Sequence, residues 1–202
     1  CSWIAMIAHK YMHNYGVTRE DLCRVAIAQR KHALHNPRAY GYGKALDMET
    51  YLGSKLIAEP LCLYDFCQET DGGCAILLTS TERAADLRRK PAVLRGVTQA
   101  STRGQEQMTS YYRDALDFLP EMEMAASRVY DMAGLQPADI DAACLYDAFT
   151  SEVIMQLESF GFCDRGEGKY LVREGALDRD GRLPNNTHGG LLSEGYIHGM
   201  NN

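Results

Sequence analysis

The sequence is poor in the features that announce most functional classes. No two of its cysteines form a C-x-x-C pair, and no apolar run approaches the roughly 20 residues needed to cross a bilayer as a helix. Positive charge is not in excess either, since the formal net charge is −6. The first absence excludes a zinc site of the usual spacing. The second excludes a helical membrane span, and the third a nucleic-acid footprint. Arg88-Arg89-Lys90 is a short basic cluster and reads as a solvated helix end. The opening residues Cys1 to Ala8 lack a basic n-region and continue into polar sequence, so they do not read as a signal peptide. There is no initiator methionine, and Met200-Asn201-Asn202 stops inside a glycine-rich segment; we therefore expect an excerpt of a longer protein.

What is present fits one ordinary domain or two small ones: 202 residues, 46% of them hydrophobic. Cysteines at 1, 23, 62, 67, 74, 144 and 163 fall mostly in apolar stretches. They read as small buried hydrophobes of a reducing, cytoplasmic protein.

The pattern along the chain alternates helix and strand. Residues 2–15 are predicted helical, with Trp3, Ile4, Ile7 and Tyr11 on one face and Gly16 as the stop. Thr18 and Asp21 form a capping-box-like start for a second helix, which Asn36-Pro37 ends. A short helix near 47–53 leads into an extended run over 57–64, where Pro60 suits an edge. The apolar runs 71–78 and 140–145 are expected as central strands buried on both faces, and 92–97 as another strand. Thr81 is expected to cap a helix that Pro91 ends. Residues 98–120, with Tyr111 and Tyr112 as linker or channel residues, connect two halves. A helix is predicted over 121–133 and another after Thr150 or Ser151, carrying Val153, Ile154 and Leu157. The charged stretch 161–185 reads as a surface excursion. This order implies a layered α/β fold, in which functional groups gather at the C-terminal ends of strands. Tyr146 and Asp147 stand at such an end.

Two segments carry chemistry. Asn186-Thr187-His188-Gly189-Gly190 continues through Gly195-Tyr196-Ile197-His198-Gly199, and Tyr146-Asp147-Ala148-Phe149 lies upstream. The first resembles the N-x-x-G-G-x-x-x-x-G-H-P-x-G active-site segment of the thiolase superfamily, with Tyr196 in place of the histidine that activates the acyl-accepting cysteine. The second resembles the Asn-Glu-Ala-Phe of thiolases and the His-Asp-x-Phe of the sterol-carrier, lipid-transfer-protein branch. Asp71-Gly72-Gly73-Cys74-Ala75 and Gly134 to Asp141 resemble further superfamily elements in the correct order. Within the superfamily the resemblance is to the thiolase-like aldolases of bacterial steroid side-chain degradation, which place tyrosines at both positions.

The resemblance implies a thiolase-like αβαβα sandwich of two similar halves. Residues 1–97 would be the remainder of the N-terminal half, 98–120 the connecting segment and 121–202 a truncated C-terminal half. It also implies retro-aldol cleavage of a β-hydroxyacyl-CoA, expected to be a steroid side chain, with coenzyme A entering only as part of the substrate. A homodimer and a small OB-fold partner protein are implied as well. Such a cleavage needs a base for the β-hydroxyl, donors for the departing thioester enolate, and an acid for its α-carbon. Tyr146 and Tyr196 are the candidate acid and base, although an unperturbed phenol near 10 is a poor match to neutral pH. His188 and His198 are candidate donors. Gly189, Gly190 and Gly195 would let backbone N–H groups approach a thioester oxygen without an intervening Cβ. A thiolase (acetyl-CoA acyltransferase) and a non-catalytic lipid or acyl-CoA carrier stay open as alternatives.

Overall fold

A computed structural model describes residues 1–105, 113 and 115–202; Tyr111 and Tyr112 lie outside the described residues. Helix α1 (Ser2–Tyr15) ends where Gly16 turns left-handed at φ 65°. It buries Ala5, Ala8 and Tyr11, while Trp3 stays exposed, so the buried stripe is narrower than the apolar pattern implied. Helix α2 (Arg19–Ala33) starts as expected: the Thr18 N–H donates to the Asp21 carboxylate at 2.9 Å. Arg173 then pairs with that carboxylate at 2.7 and 2.8 Å.

Helix α2 is the hub of the molecule and packs against α3 (Met48–Leu52), α6 (Thr150–Ser159), α7 (Gly168–Arg173) and α8 (Gly190–Ser193). Leu22 and Val25 of α2, and Ile154 and Leu157 of α6, are fully buried. Each such side chain contributes about 1.5–3 kcal/mol. The polar residues that α2 buries are matched by side chains or carbonyls from the distal part of the chain. Gln29 donates to Asn185 at 2.6 Å, Arg30 to Ser193 at 3.0 Å, and the His32 ring meets the Leu177 carbonyl at 3.0 Å.

Between α3 and residue 66 the expected extended run folds into a two-stranded antiparallel ribbon, β1 (Leu56–Ala58) and β2 (Leu61–Cys62), turning at Glu59-Pro60. A 3-10 turn over Leu63–Asp65 follows. Asp65 is fully buried there and accepts from Tyr51 and Thr150 at 2.5 Å each and from the Cys62 N–H at 2.6 Å, tying the ribbon to the start of α6. Helix α4 (Thr81–Ala84) is one turn capped by Ser80 rather than Thr81, and stops well before Pro91. Helix α5 (Pro120–Ala133) begins with proline in its first turn and ends at Gly134, φ 65°. A second 3-10 turn covers Pro137–Asp139.

Four expectations are corrected. Residues 71–78 form no strand and lie open, with Ile76, Leu77 and Leu78 at 84, 88 and 74% exposure. Residues 92–97 are likewise not a strand. A strand exists only where a neighbouring strand takes its backbone hydrogen bonds, and among the described residues neither segment pairs with one; the Val97 N–H instead donates to Met132 Sδ at 3.3 Å. Residues 140–145 are extended, but they make only an isolated parallel bridge, Ala143 to Asn185, and leave Asp141, Ala142 and Cys144 exposed. The fourth correction concerns 161–185. Leu171 and Val172 of α7, with Ala176, Leu177 and Leu183, join the core, because their spacing gathers apolar side chains out of a charged sequence.

Candidate active site

Two polar clamps fix the segment that ends at Tyr146. The Asn186 side-chain amide pairs with both backbone groups of Leu145: Leu145 N–H donates to Oδ1 and Nδ2 donates to the Leu145 carbonyl, each at 2.8 Å. Gln156, on the second turn of α6, does the same to Tyr146 itself. Its Oε1 accepts the Tyr146 N–H at 3.1 Å, and its Nε2 donates to the Tyr146 carbonyl at 2.6 Å. Side-chain amides thus supply what neighbouring strands would otherwise provide. Asn186 holds a left-handed conformation at φ 48°, which asparagine tolerates better than most residues.

Asp147 joins the two signature segments. Its fully buried carboxylate accepts from the N–H groups of Leu191 (2.8 Å) and Leu192 (3.2 Å) at the head of α8, and from Asn202 Nδ2 at 3.0 Å. This closeness explains Gly190: its φ is +63°, and a Cβ there would lie 2.1 Å from Asp147 Oδ2. Residues 66–70 lie between the same two segments. Cys67 N–H donates to the Ala148 carbonyl at 2.9 Å, Tyr196 N–H to Gln68 at 2.7 Å, and Thr70 N–H to Tyr196 at 3.1 Å. Tyr146 and Tyr196 therefore come to one place from positions 50 residues apart.

Their hydroxyls are 2.8 Å apart, and their rings meet edge-to-face at 6.2 Å between centroids. Gly199 leaves room for the Tyr146 ring, because a Cβ at that position would come within 2.9 Å of it. His198 is exposed, with Nδ1 3.3 Å from the Tyr196 hydroxyl. His188 instead hydrogen-bonds Asn202 at 3.2 Å and lies 3.6 Å from the Glu194 carboxylate. The Gly189 N–H donates to the Asn186 carbonyl at 2.8 Å and is already engaged. Gly189 packs against Ala33, and Gly195 against Thr70.

Electrostatics separate the members of the site. Burial pushes the Tyr146 hydroxyl well above its ordinary value, reinforced by the hydrogen bond and charge of Tyr196 and then by Glu152 and Cys67. Burial also raises Asp147, opposed by its donors from Asn202, Leu191 and Leu192. Glu152, in the first turn of α6, is pushed up to about 8 by burial and by the charge of Asp147. Its Oε2 is buried without a hydrogen-bond partner. Burial, with Asp147 and Glu69 nearby, lifts the Cys67 thiol to about 11, so it is no activated nucleophile. Sequence reasoning assigned no role to Gln156, Glu152 or residues 66–70. The one available signal was Glu152 and Gln156 recurring at i, i+4 around the apolar run Val153–Met155.

An edge-to-face pair of phenols in hydrogen-bond contact, one of them held protonated, can deliver a proton and accept one at adjacent points. Residues 101–201 match the family described as thiolase C-terminal domain-like. The chain is 52% identical over 199 residues to the steroid side-chain-cleaving aldolase of Thermomonospora curvata, covering 98% of this chain and 51% of that protein. It is 50% identical over 198 residues to the 17-hydroxy-3-oxo-4-pregnene-20-carboxyl-CoA lyase of Mycobacterium tuberculosis, with coverage of 98% and 51%. The solved structure of an Ltp2-ChsH2(DUF35) aldolase superposes with a TM-score of 0.96 at 52% identity, over 98% of this chain and 52% of that one. The chain thus spans about half the length of the curated relatives it matches, and the thiolase-like fold expected from the sequence is the one it shares with them.

Proposed function

Because this chain belongs to the family of thiolase C-terminal domain-like proteins, we propose that the protein is a carbon–carbon lyase that cleaves a β-hydroxyacyl-CoA by retro-aldol chemistry. The acyl group is a steroid side chain, and the products are a ketone and a short acyl-CoA. The observation that carries the reading is the 2.8 Å contact between the Tyr146 and Tyr196 hydroxyls. The names of the two relatives at 50–52% identity support the substrate class.

Tyr196, as phenolate, takes the β-hydroxyl proton. The Cα–Cβ bond breaks, its electron pair passes to the thioester enolate, and the former carbinol carbon becomes the ketone. Tyr146, whose hydroxyl is held protonated by burial and by Tyr196, then protonates the enolate α-carbon. The proton gained by Tyr196 crosses directly to Tyr146, which restores both groups with no net proton exchanged. His198 orients the Tyr196 oxygen from its other side. His188, Gly189, Gly190 and Gly195 shape the wall along which the thioester lies, and coenzyme A enters only as part of the substrate. The protein works in the cytoplasm as a homodimer. It has a small OB-fold partner, in keeping with the DUF35 component of the similar solved aldolase.

Tyr146→Phe and Tyr196→Phe keep the rings and remove the proton carriers. With a steroid β-hydroxyacyl-CoA, each is expected to bind substrate and to lose about 10²–10⁴-fold in kcat. Wild-type kcat in both variants would refute the two-tyrosine mechanism.

A further inference from the structure

Helix α6 presents two polar side chains to the site, one turn apart. Gln156 holds the backbone of Tyr146 from both sides. Glu152, four residues earlier, shares its helix face and also lies beside the Tyr146–Asp147 turn. The titratable groups that face Glu152 are Asp147 and Tyr146 from that turn, and Cys67 from the 66–70 segment. Each of them is neutral or negative. A glutamate in the first turn of a helix is ordinarily favoured as a carboxylate by the helix dipole. Here Oε2 is buried with no donor, and burial together with the charge of Asp147 outweighs the one opposing backbone hydrogen bond, at Phe149, so the carboxylate takes up a proton instead.

We propose that Glu152 is a positioning residue for the Tyr146–Tyr196 pair: in its neutral form it lets the pair carry one negative charge, and in its ionised form it suppresses that charge. The proposal deepens the retro-aldol reading and rests on it for its effect on rate. No atom of Glu152 needs to reach substrate. It acts through the field at Tyr146, and so through the proton shared with Tyr196. The raised titration of Glu152, to about 8, places the change just above neutral pH. The site would be open under physiological conditions and would close as the solution becomes alkaline.

The linkage has a definite sign. Protonation of Glu152 is favoured in the folded state, whereas an unfolded glutamate titrates near 4.3. The folded chain therefore holds the extra proton between those values, and stability falls as pH rises from about 4.3 to about 8.

The test uses the protein as encoded, labelled with 13C at the glutamate carboxyls, with Glu152→Gln identifying the Glu152 signal. Glu152 is expected to titrate near 8 in the wild type. The kcat/KM for the acyl-CoA should decline on the alkaline side with the same midpoint. Glu152→Gln should lose that alkaline decline. A Glu152 signal titrating near 4.3, or a decline that persists in Glu152→Gln, overturns the proposal. If the protein cleaves no β-hydroxyacyl-CoA, the retro-aldol reading fails by itself and tyrosinate absorbance becomes the measurement. Glu152→Gln should then begin to ionise at lower pH than the wild type, with the difference abolished in a Tyr146→Phe background. Coincident tyrosinate curves overturn the proposal in that case.

Discussion

Residues 140–147 and 71–78 are both extended and apolar, and both lack an ordinary sheet around them, yet their environments are opposite. The first segment is secured from Ala143 onward. Ala143 N–H donates to the Pro184 carbonyl, Ala143 O accepts from Asn186 N–H, Leu145 is held by the Asn186 amide, and Tyr146 by the Gln156 amide. The second makes no backbone hydrogen bond to another segment among the described residues, and Ile76 to Leu78 face solvent. Apolar content does not separate the two. Partners for the backbone do, and in 140–147 those partners are the backbone at Pro184 and Asn186 together with the side-chain amides of Asn186 and Gln156. Hydrophobic pattern locates an extended segment; polar side chains decide where it is held.

The comparison can be broken most severely at Gly190. Gly190→Ala puts a Cβ 2.1 Å from Asp147 Oδ2 in a left-handed conformation. The Asp147 bonds to Leu191 and Leu192 would have to open. The expected cost is roughly 3–5 kcal/mol, read as a lower midpoint in urea unfolding. Retention of wild-type stability would mean that the Asp147 link holds little.

A gentler break removes one clamp. Gln156→Leu keeps the side-chain volume on α6 but leaves the Tyr146 N–H and carbonyl without their amide. Tyr146 is 37% exposed, so water can reach part of what is lost, and the cost is about 1–2 kcal/mol. The informative measurement is kinetic: kcat should fall while KM holds, because the tyrosine is misplaced rather than missing.

The smallest effect sharpens the other side of the comparison. Leu77→Ser, at an exposed position, should move the unfolding midpoint by less than about 0.5 kcal/mol. Leu157→Ala, in the buried face of α6, should cost about 2–5 kcal/mol. Equal effects in the 202-residue chain would show that 71–78 is not free of the core.

Helix ends were the most legible part of the sequence, since their signals are local. Gly16, Thr18 with Asp21, and Gly134 each sit where the helices stop or start. Tyr146 and Tyr196 were legible as candidates through the motifs around them, and the structure brings their hydroxyls together. The means of bringing them together was not. Gln156 and Glu152 look like ordinary polar helix residues, and only the fold reveals that their face meets a turn. Residues 66–70 hold no distinctive chemistry, and their role lies in backbone contacts that no residue type encodes. The strand expectations for 71–78 and 92–97 failed for the converse reason: composition specifies an extended chain but names no neighbour.

The Asp147 carboxylate, shared by Leu191, Leu192 and Asn202, has a consequence for the way this part of the molecule breathes. Residues 145–147 and 186–192 cannot come apart one bond at a time, because loosening either leaves a buried carboxylate, or the amides it serves, without company. The two signature segments are therefore a single opening unit, protected or exposed together.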